Sequence, residues 1–359
     1  MFEPDAPETS EWLPEKRKTL TRTIPLLVLG LVIFIAYLYF FVDIPEMLVT
    51  IQQIDIFYYV LAIAALLLNM LAYSLTWHSI LHSLSIKVSF MKTMLITWVG
   101  AFVEFFVPSE SIGEDVSKSY LMAKESGENT GKVVASVLGQ RIISMVVTLI
   151  VLIFCSVSLL TSQYAIPSSI SLLIVIVSIG TAIPLVFIFL LCVKEQLTLR
   201  LIDMLIRFCV FVARGRLNLE NLREKAKNSL EGFHQSMGFL GKNPTSLIQP
   251  LFFALGSYAL SVLVSYFVFA SLGYTVSFVL ITVVYSLSRS LQSIPTMLPG
   301  EVGFIEIVMT YLYTDLLALG PQAAAISAAA TVLTRVLWVW LRLPLGFIAL
   351  QWIMRRGLL

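Results

Sequence analysis

The chain has 359 residues, 58% of them hydrophobic and only 13% charged, with a net charge of +2. Soluble domains carry about 25% charged residues, so a soluble globular domain is excluded; the net charge by itself says nothing about nucleic acid, and no nucleic-acid partner is expected. Several apolar runs reach roughly the 20 residues that cross a hydrocarbon core, and they are continuous, which excludes a membrane β-barrel with its alternating strands.

The sequence predicts an all-α polytopic membrane protein. It has about six full spans plus two oppositely oriented re-entrant helical hairpins in an inverted repeat. Residues 1–23 form a cytoplasmic tail, and 24–359 form a single membrane domain. Residues 1–15 are acidic and proline-containing, unlike a signal peptide, so the first apolar run is expected to remain as a span. The spans fall near 24–42, 56–77, 133–160, 169–193, 246–272 and 322–353. The connection 43–55 reads as an outer loop. Pro184 predicts a kink in the fourth span.

Two segments break this pattern. Phe90 to Val107 is apolar and stops at Pro108; a polar-faced half helix follows from Gly113 to Ala123. Val276 to Leu298 runs in, turns at Pro299–Gly303, and Phe304 to Leu319 runs back. The hairpins span about 90–123 and 276–319. Between the halves, residues 194–245 hold nine Lys/Arg and apolar residues at helical spacing (Leu197, Leu201, Leu205, Phe208). One or two amphipathic surface helices are expected there, and the basic stretch 214–227 is a candidate for anionic lipid headgroups.

Charge sets the expected orientation. With both hairpins re-entrant, 20 of the 24 Lys/Arg fall on one side, and the other side's loops hold none. Cytoplasmic loops collect Lys and Arg, so both termini are placed in the cytoplasm and the membrane is read as the cell membrane. The remaining four, Arg141, Arg289, Arg335 and Arg342, lie within apolar runs. The first hairpin then enters from the cytoplasm and the second from outside. Paired broken segments in two halves point to a transporter site near the midplane.

The two turns share a pattern. Pro108 is followed by Glu110, Gly113 and Glu114; Pro299 is followed by Gly300, Glu301, Gly303 and Glu306. An apolar helix bearing Arg141 or Arg335 comes next, and Arg289 precedes the second turn. Such turns at membrane depth need buried protein or a wet cavity around them. Arg141, Arg289, Arg335, Glu110, Glu114, Glu301 and Glu306 are therefore the candidate substrate-binding residues. Pro108, Gly113, Pro299, Gly300 and Gly303 are the candidate turn formers. Arg matches phosphate oxygens, and a helix N-terminus after a turn presents free N–H groups to an anion. The glutamates are natural partners for the arginines, for a cationic or hydroxyl-bearing headgroup, or for a proton. Structural ion pairs that lock the hairpins are the competing use of the same residues.

Arg342 reads as an interfacial side chain that snorkels. His78 and His82 lack a nearby third ligand and read as an interfacial pair, so no metal or other cofactor is expected. Cys155, Cys192 and Cys209 have no metal-like spacing and indicate no disulfide framework. No phosphate-binding glycine loop, Gly-x-Ser-x-Gly or Cys-x-x-Cys is present.

The stretch Phe106-Val107-Pro108-Ser109-Glu110-Ser111-Ile112-Gly113-Glu114, followed by Lys118 to Leu121, resembles the first signature of the lysylphosphatidylglycerol synthase transmembrane-region family, also called flippase-like. Leu298 to Glu306, with Gly320, Arg335 and the closing apolar helix, resembles the second. The likeness covers roughly 50–359. It implies re-entrant helices that move a modified lipid between leaflets, and it carries the family's Pro, Gly and Glu positions onto Pro108, Gly113, Glu114, Pro299, Gly303 and Glu306. Two departures stand out. Val116 occupies a position that is commonly basic, the nearest base being Lys118. The soluble aminoacyl-transfer domain of the full synthases is not in this sequence, so lysylphosphatidylglycerol synthesis is not expected. The expected function is a transporter of a phosphate-bearing lipid, aminoacylated or glycosylated, with a membrane phospholipid or lipid-linked molecule as its partner. The alternative is a membrane enzyme or subunit acting on lipid-linked sugar. A homo-oligomer stays open.

Overall fold

Continuous apolar sequence becomes helix in a membrane because only internal hydrogen bonding satisfies the backbone there. The computed structural model describes residues 28, 32–36, 38–40, 44–106, 112–160, 167–212, 219–292, 298–317 and 319–355, apart from the side chains at 160, 205, 206, 208–212, 219–223, 225 and 299. Every regular element among them is helical. The tail 1–23, Pro108, Glu110, residues 214–218 of the basic stretch and the side chains of Arg223 and Lys225 lie outside that description.

Four long helices have the length and apolarity of spans: α2 (Ile56–Ser83), α5 (Thr130–Leu160), α6 (Ser168–Val193) and α9 (Ile248–Ser271). A fifth, over Gly320–Arg355, joins α12 (Ala323–Arg335) to α13 (Arg342–Arg355) through a π-helical turn at Val336–Leu341. The chain is thus a multi-pass membrane protein. Where an outer loop was expected at 43–55, the chain instead forms helix α1 (Ile44–Gln52), bent by 100° from a preceding helix at Val32–Phe40. Asp55 caps the start of α2 by accepting from Phe57 N at 2.8 Å. Helix α6 continues through Pro184 and turns a largely exposed apolar surface outward, including Leu172, Val175, Ile179 and Ile183. That is the surface a lipid-facing helix presents.

The two broken segments fold as helix pairs. The first is α3 (Phe90–Phe106) on α4 (Ile112–Ser126); the second is α10 (Phe278–Leu291) on α11 (Phe304–Leu316). These helices have 17, 15, 14 and 13 residues. At 1.5 Å per residue each is about 20–26 Å long, short of the roughly 30 Å hydrocarbon thickness.

Packing repeats across the halves. Helices α2 and α9 pack on each other, with Asn69 Nδ2 reaching Ser257 O at 2.7 Å and Ser261 Oγ at 2.8 Å between them. The helix following each pair packs on the first helix of the other pair: α5 on α10, and α13 on α3. Every such contact has its counterpart when α2–α5 is exchanged for α9–α13. Gly346 permits the second crossing, because a Cβ there would come within 2.8 Å of Trp98 O.

The polar region, where one or two helices were expected, holds two: α7 (Glu195–Val212) and α8 (Leu219–Lys242). Helix α8 sits against the start of α5 so closely that a Cβ on Gly131 would lie 1.5 Å from Ser229 O.

Candidate functional site

Between the helix pairs lies a cavity of about 270 Å³. All four arginines of the apolar runs, Arg141, Arg289, Arg335 and Arg342, line it. So do the carboxylates of Glu104, Glu114, Asp115 and Glu301. Small-molecule sites run to about 300–1,000 Å³, so the space suits a lipid headgroup better than whole acyl chains. Both signs of charge cluster here because burying either one alone costs several kcal/mol.

On the first helix pair, Glu114 and Gly113 begin α4, with Gly113 already helical in its first turn. Glu114 Oε1 accepts from Lys118 Nζ at 3.3 Å and from the Tyr73 hydroxyl at 3.2 Å. Lys118 is only 1% exposed. Its Nζ donates to Gln140 Oε1 at 2.6 Å and lies 4.6 Å from the Trp77 ring centroid and 5.2 Å from that of Tyr73. Gln140 in turn donates to Tyr73 O at 2.9 Å. The base that Val116 does not provide thus reaches Glu114 one helical turn later. Lys118, one of the 20 charges assigned to the cytoplasmic side, is buried behind the cavity wall. Gly100 makes room for it, since a Cβ would meet Glu114 and Lys118 side-chain atoms at 3.0 Å.

Arg141 pairs not with Glu114 but with the next carboxylate along α4. Its Nη1 donates to Asp115 Oδ2 at 2.7 Å, because α4 presents Asp115, one residue on from Glu114, toward α5. Glu110 lies outside the described residues.

The second turn is built by backbone conformations that glycine tolerates. Gly300 and Gly303 have φ of +59° and +93°. Glu301 shares the left-handed region at +55°, which is uncommon for a residue with a Cβ and is the kind of strain found at functional sites. Pro299 opens the turn, and Glu301 N donates back to Leu298 O at 3.0 Å. Glu306, in the first turn of α11, accepts from Gly303 N at 2.7 Å and from Arg335 Nε at 2.6 Å. Arg335 Nη2 reaches Gly300 O at 2.7 Å. The chain's own carboxylate therefore occupies the helix N-terminus that the sequence offered to an anion.

Gly300 is also pinned from outside, since a Cβ there would sit 2.5 Å from the Phe105 ring. Gly300→Ala should therefore cost about 2–4 kcal/mol, from left-handed strain plus overpacking. Adding Phe105→Ala should recover the overpacking share alone; thermal unfolding of the single and double variants in detergent measures both.

Arg289 is exposed to the cavity, and its Nη1 donates to Gln292 Oε1 at 3.3 Å. Arg342, read from the sequence as an interfacial side chain, lies in the cavity wall over the Trp338 ring, 5.5 Å from its centroid. Neither forms an ion pair among the described residues. His78 Nδ1 lies 3.2 Å from Thr93 Oγ1, with its ring edge-on to Phe90. Among the described residues no group of three possible metal ligands occurs.

The sequence reading missed Glu104, Asp115, Gln140 and Tyr73. Glu104 left a signal, being a lone carboxylate in the apolar run Phe90–Val107. The others carry none, since only the packing of α2, α4 and α5 brings them together.

The architecture is that of a polytopic helical membrane protein with a charged internal cavity between two broken-helix pairs. The family described as the lysylphosphatidylglycerol synthase TM region matches residues 27–346, and the chain belongs to that family. It is similar to a UPF0104 membrane protein of Pyrococcus horikoshii, 26% identical over 328 residues, covering 89% of this chain and 94% of the relative. It is also similar to UPF0104 membrane proteins of Methanothermobacter thermautotrophicus (21% over 337 residues; 91% and 94%) and Methanocaldococcus jannaschii (22% over 338 residues; 94% and 96%).

Proposed function

We propose that this protein moves a phosphate-bearing lipid between membrane leaflets, with the headgroup passing through the cavity while the acyl chains stay in the bilayer. The observation that carries this reading is the convergence of Arg141, Arg289, Arg335 and Arg342 on one headgroup-sized space. Arg289 and Arg342, free of ion pairs among the described residues, take the phosphate. Arg141 and Arg335 hold the helix pairs through Asp115 and Glu306 and add positive potential. Glu114, Glu301 and Glu306 shape the wall and face the rest of the headgroup.

The exchanged packing of the halves supports an inverted repeat, with the α3–α4 pair entering from the cytoplasm and the α10–α11 pair from outside. Both termini then lie in the cytoplasm and the host membrane is the cell membrane. The proposed role is transport and not turnover.

Leaflet translocation of fluorescent phospholipids in proteoliposomes tests this. Wild-type protein should move at least one phosphate-bearing class faster than empty liposomes. Arg289→Ala should slow it by about 10–100-fold, the worth of one hydrogen bond to a charged group. No movement of any class by folded protein would end the transport reading, and appearance of a new lipid species would replace it with an enzymatic one.

A further inference from the structure

The charged groups of the cavity do not all find partners within the protein. Lys118 pairs with Glu114, Arg141 with Asp115, and Arg335 with Glu306. Glu301 also has a partner. Three lining groups are left with no ion pair among the described residues: Arg289, Arg342 and Glu104. Glu104 makes no hydrogen bond there either. It stands near the end of α3 beside Phe105 and Phe106, where a carboxylate without a partner costs several kcal/mol.

The neighbouring wall is unsatisfied too. Trp98 Nε1, Arg342 Nε and the hydroxyls of Ser288, Ser290 and Thr334 are buried without hydrogen-bond partners. The three hydroxyl residues are only 5%, 6% and 2% exposed. Buried polar groups are ordinarily satisfied, so this arrangement points to a ligand that carries both signs of charge.

We infer that Glu104 is a specificity-determining residue: it takes the ammonium of a zwitterionic headgroup whose phosphodiester rests on Arg289 and Arg342. The inference rests on the transport reading above and narrows its cargo to amine-bearing phospholipids over glycosylated ones. A sugar hydroxyl would be served by neutral groups such as Gln292 and Asn69, which also line the cavity, and would leave the Glu104 charge uncompensated. The lining arginines, with Lys118 behind them, are balanced by Glu104, Glu114, Glu301, Glu306 and Asp115. A net-neutral headgroup keeps that balance.

The test uses the full chain in detergent with two soluble headgroups that share a phosphodiester: glycerophosphoethanolamine, with an ammonium, and glycerophosphoglycerol, without one. Binding is read by calorimetry and by tryptophan fluorescence, since Trp98 and Trp338 line the cavity. Wild type should prefer the ethanolamine compound by about tenfold or more, the loss expected when one partner of a buried charge pair is missing. Glu104→Gln should lower that preference to about twofold by weakening binding of the ethanolamine compound, and Glu104→Asp should keep part of it. Equal affinities in wild type, or a preference that survives Glu104→Gln, would overturn the assignment. The lipids carrying the same headgroups are run in parallel in proteoliposomes. Lipid movement without discrimination sinks only the role of Glu104; no movement and no binding sinks the transport reading and this inference with it.

Discussion

Replacing Arg335 with alanine is expected to destabilise the protein by about 3–5 kcal/mol, the cost of breaking a buried ion pair by removing one partner. The side chain, 12% exposed, joins α12 to the second turn at two points. Its Nε holds Glu306 and its Nη2 holds Gly300 O. Without it, Glu306 keeps only the Gly303 N–H, and its charge is uncompensated. Arg335→Lys keeps the charge but loses the fork, so it should fall between wild type and alanine. In a double-mutant cycle with Glu306→Gln, the pair should couple by about 1–3 kcal/mol. Thermal unfolding in detergent reads all three. A loss below about 1 kcal/mol for alanine, the worth of a surface pair, would mean that the turn is held by other contacts.

The second large effect belongs to Lys118. Lys118→Met should also cost about 3–5 kcal/mol, because it strips Glu114 of its cation and Gln140 Oε1 of its donor at once. Adding Glu114→Gln should recover most of the loss, since a neutral pair in the same space has no charge left to desolvate. If the cation–π contacts with Trp77 and Tyr73 matter most, the double variant will stay as unstable as the single one. The same unfolding measurement separates these outcomes.

Much of the architecture was legible because membrane burial writes itself into composition. Runs such as Ser168–Val193 permit only helix, and the two Pro/Gly turns stand out against them. The second site was legible for the same reason: Gly300, Gly303, Glu306 and Arg335 are conspicuous in apolar sequence, and they meet as the spacing suggests. The first site was less so. Which carboxylate faces Arg141 depends on the rotation of α4, a matter of about 100° per residue, and the sequence reading named Glu114 where the structure pairs Asp115. Lys118 read as a cytoplasmic-side charge on a polar-faced half helix because its aromatic cage comes from α2, some forty positions upstream. Helix α1 was hidden by Asp43, Glu46 and Asp55, which mark its ends as though they were a loop.

The exchange of partners between the halves bears on how the chain is made. Helix α3 carries Gly100 and Glu104 and finds its place against α13, yet α13 emerges from the ribosome only after α4 to α12. At roughly 5–20 residues per second this is a wait of tens of seconds. During it, one half of the cavity wall, with its charges, stands in the bilayer without its counterpart. Biogenesis of this protein should therefore depend on the insertion machinery, or a chaperone within the membrane, shielding the first half until the last helix arrives.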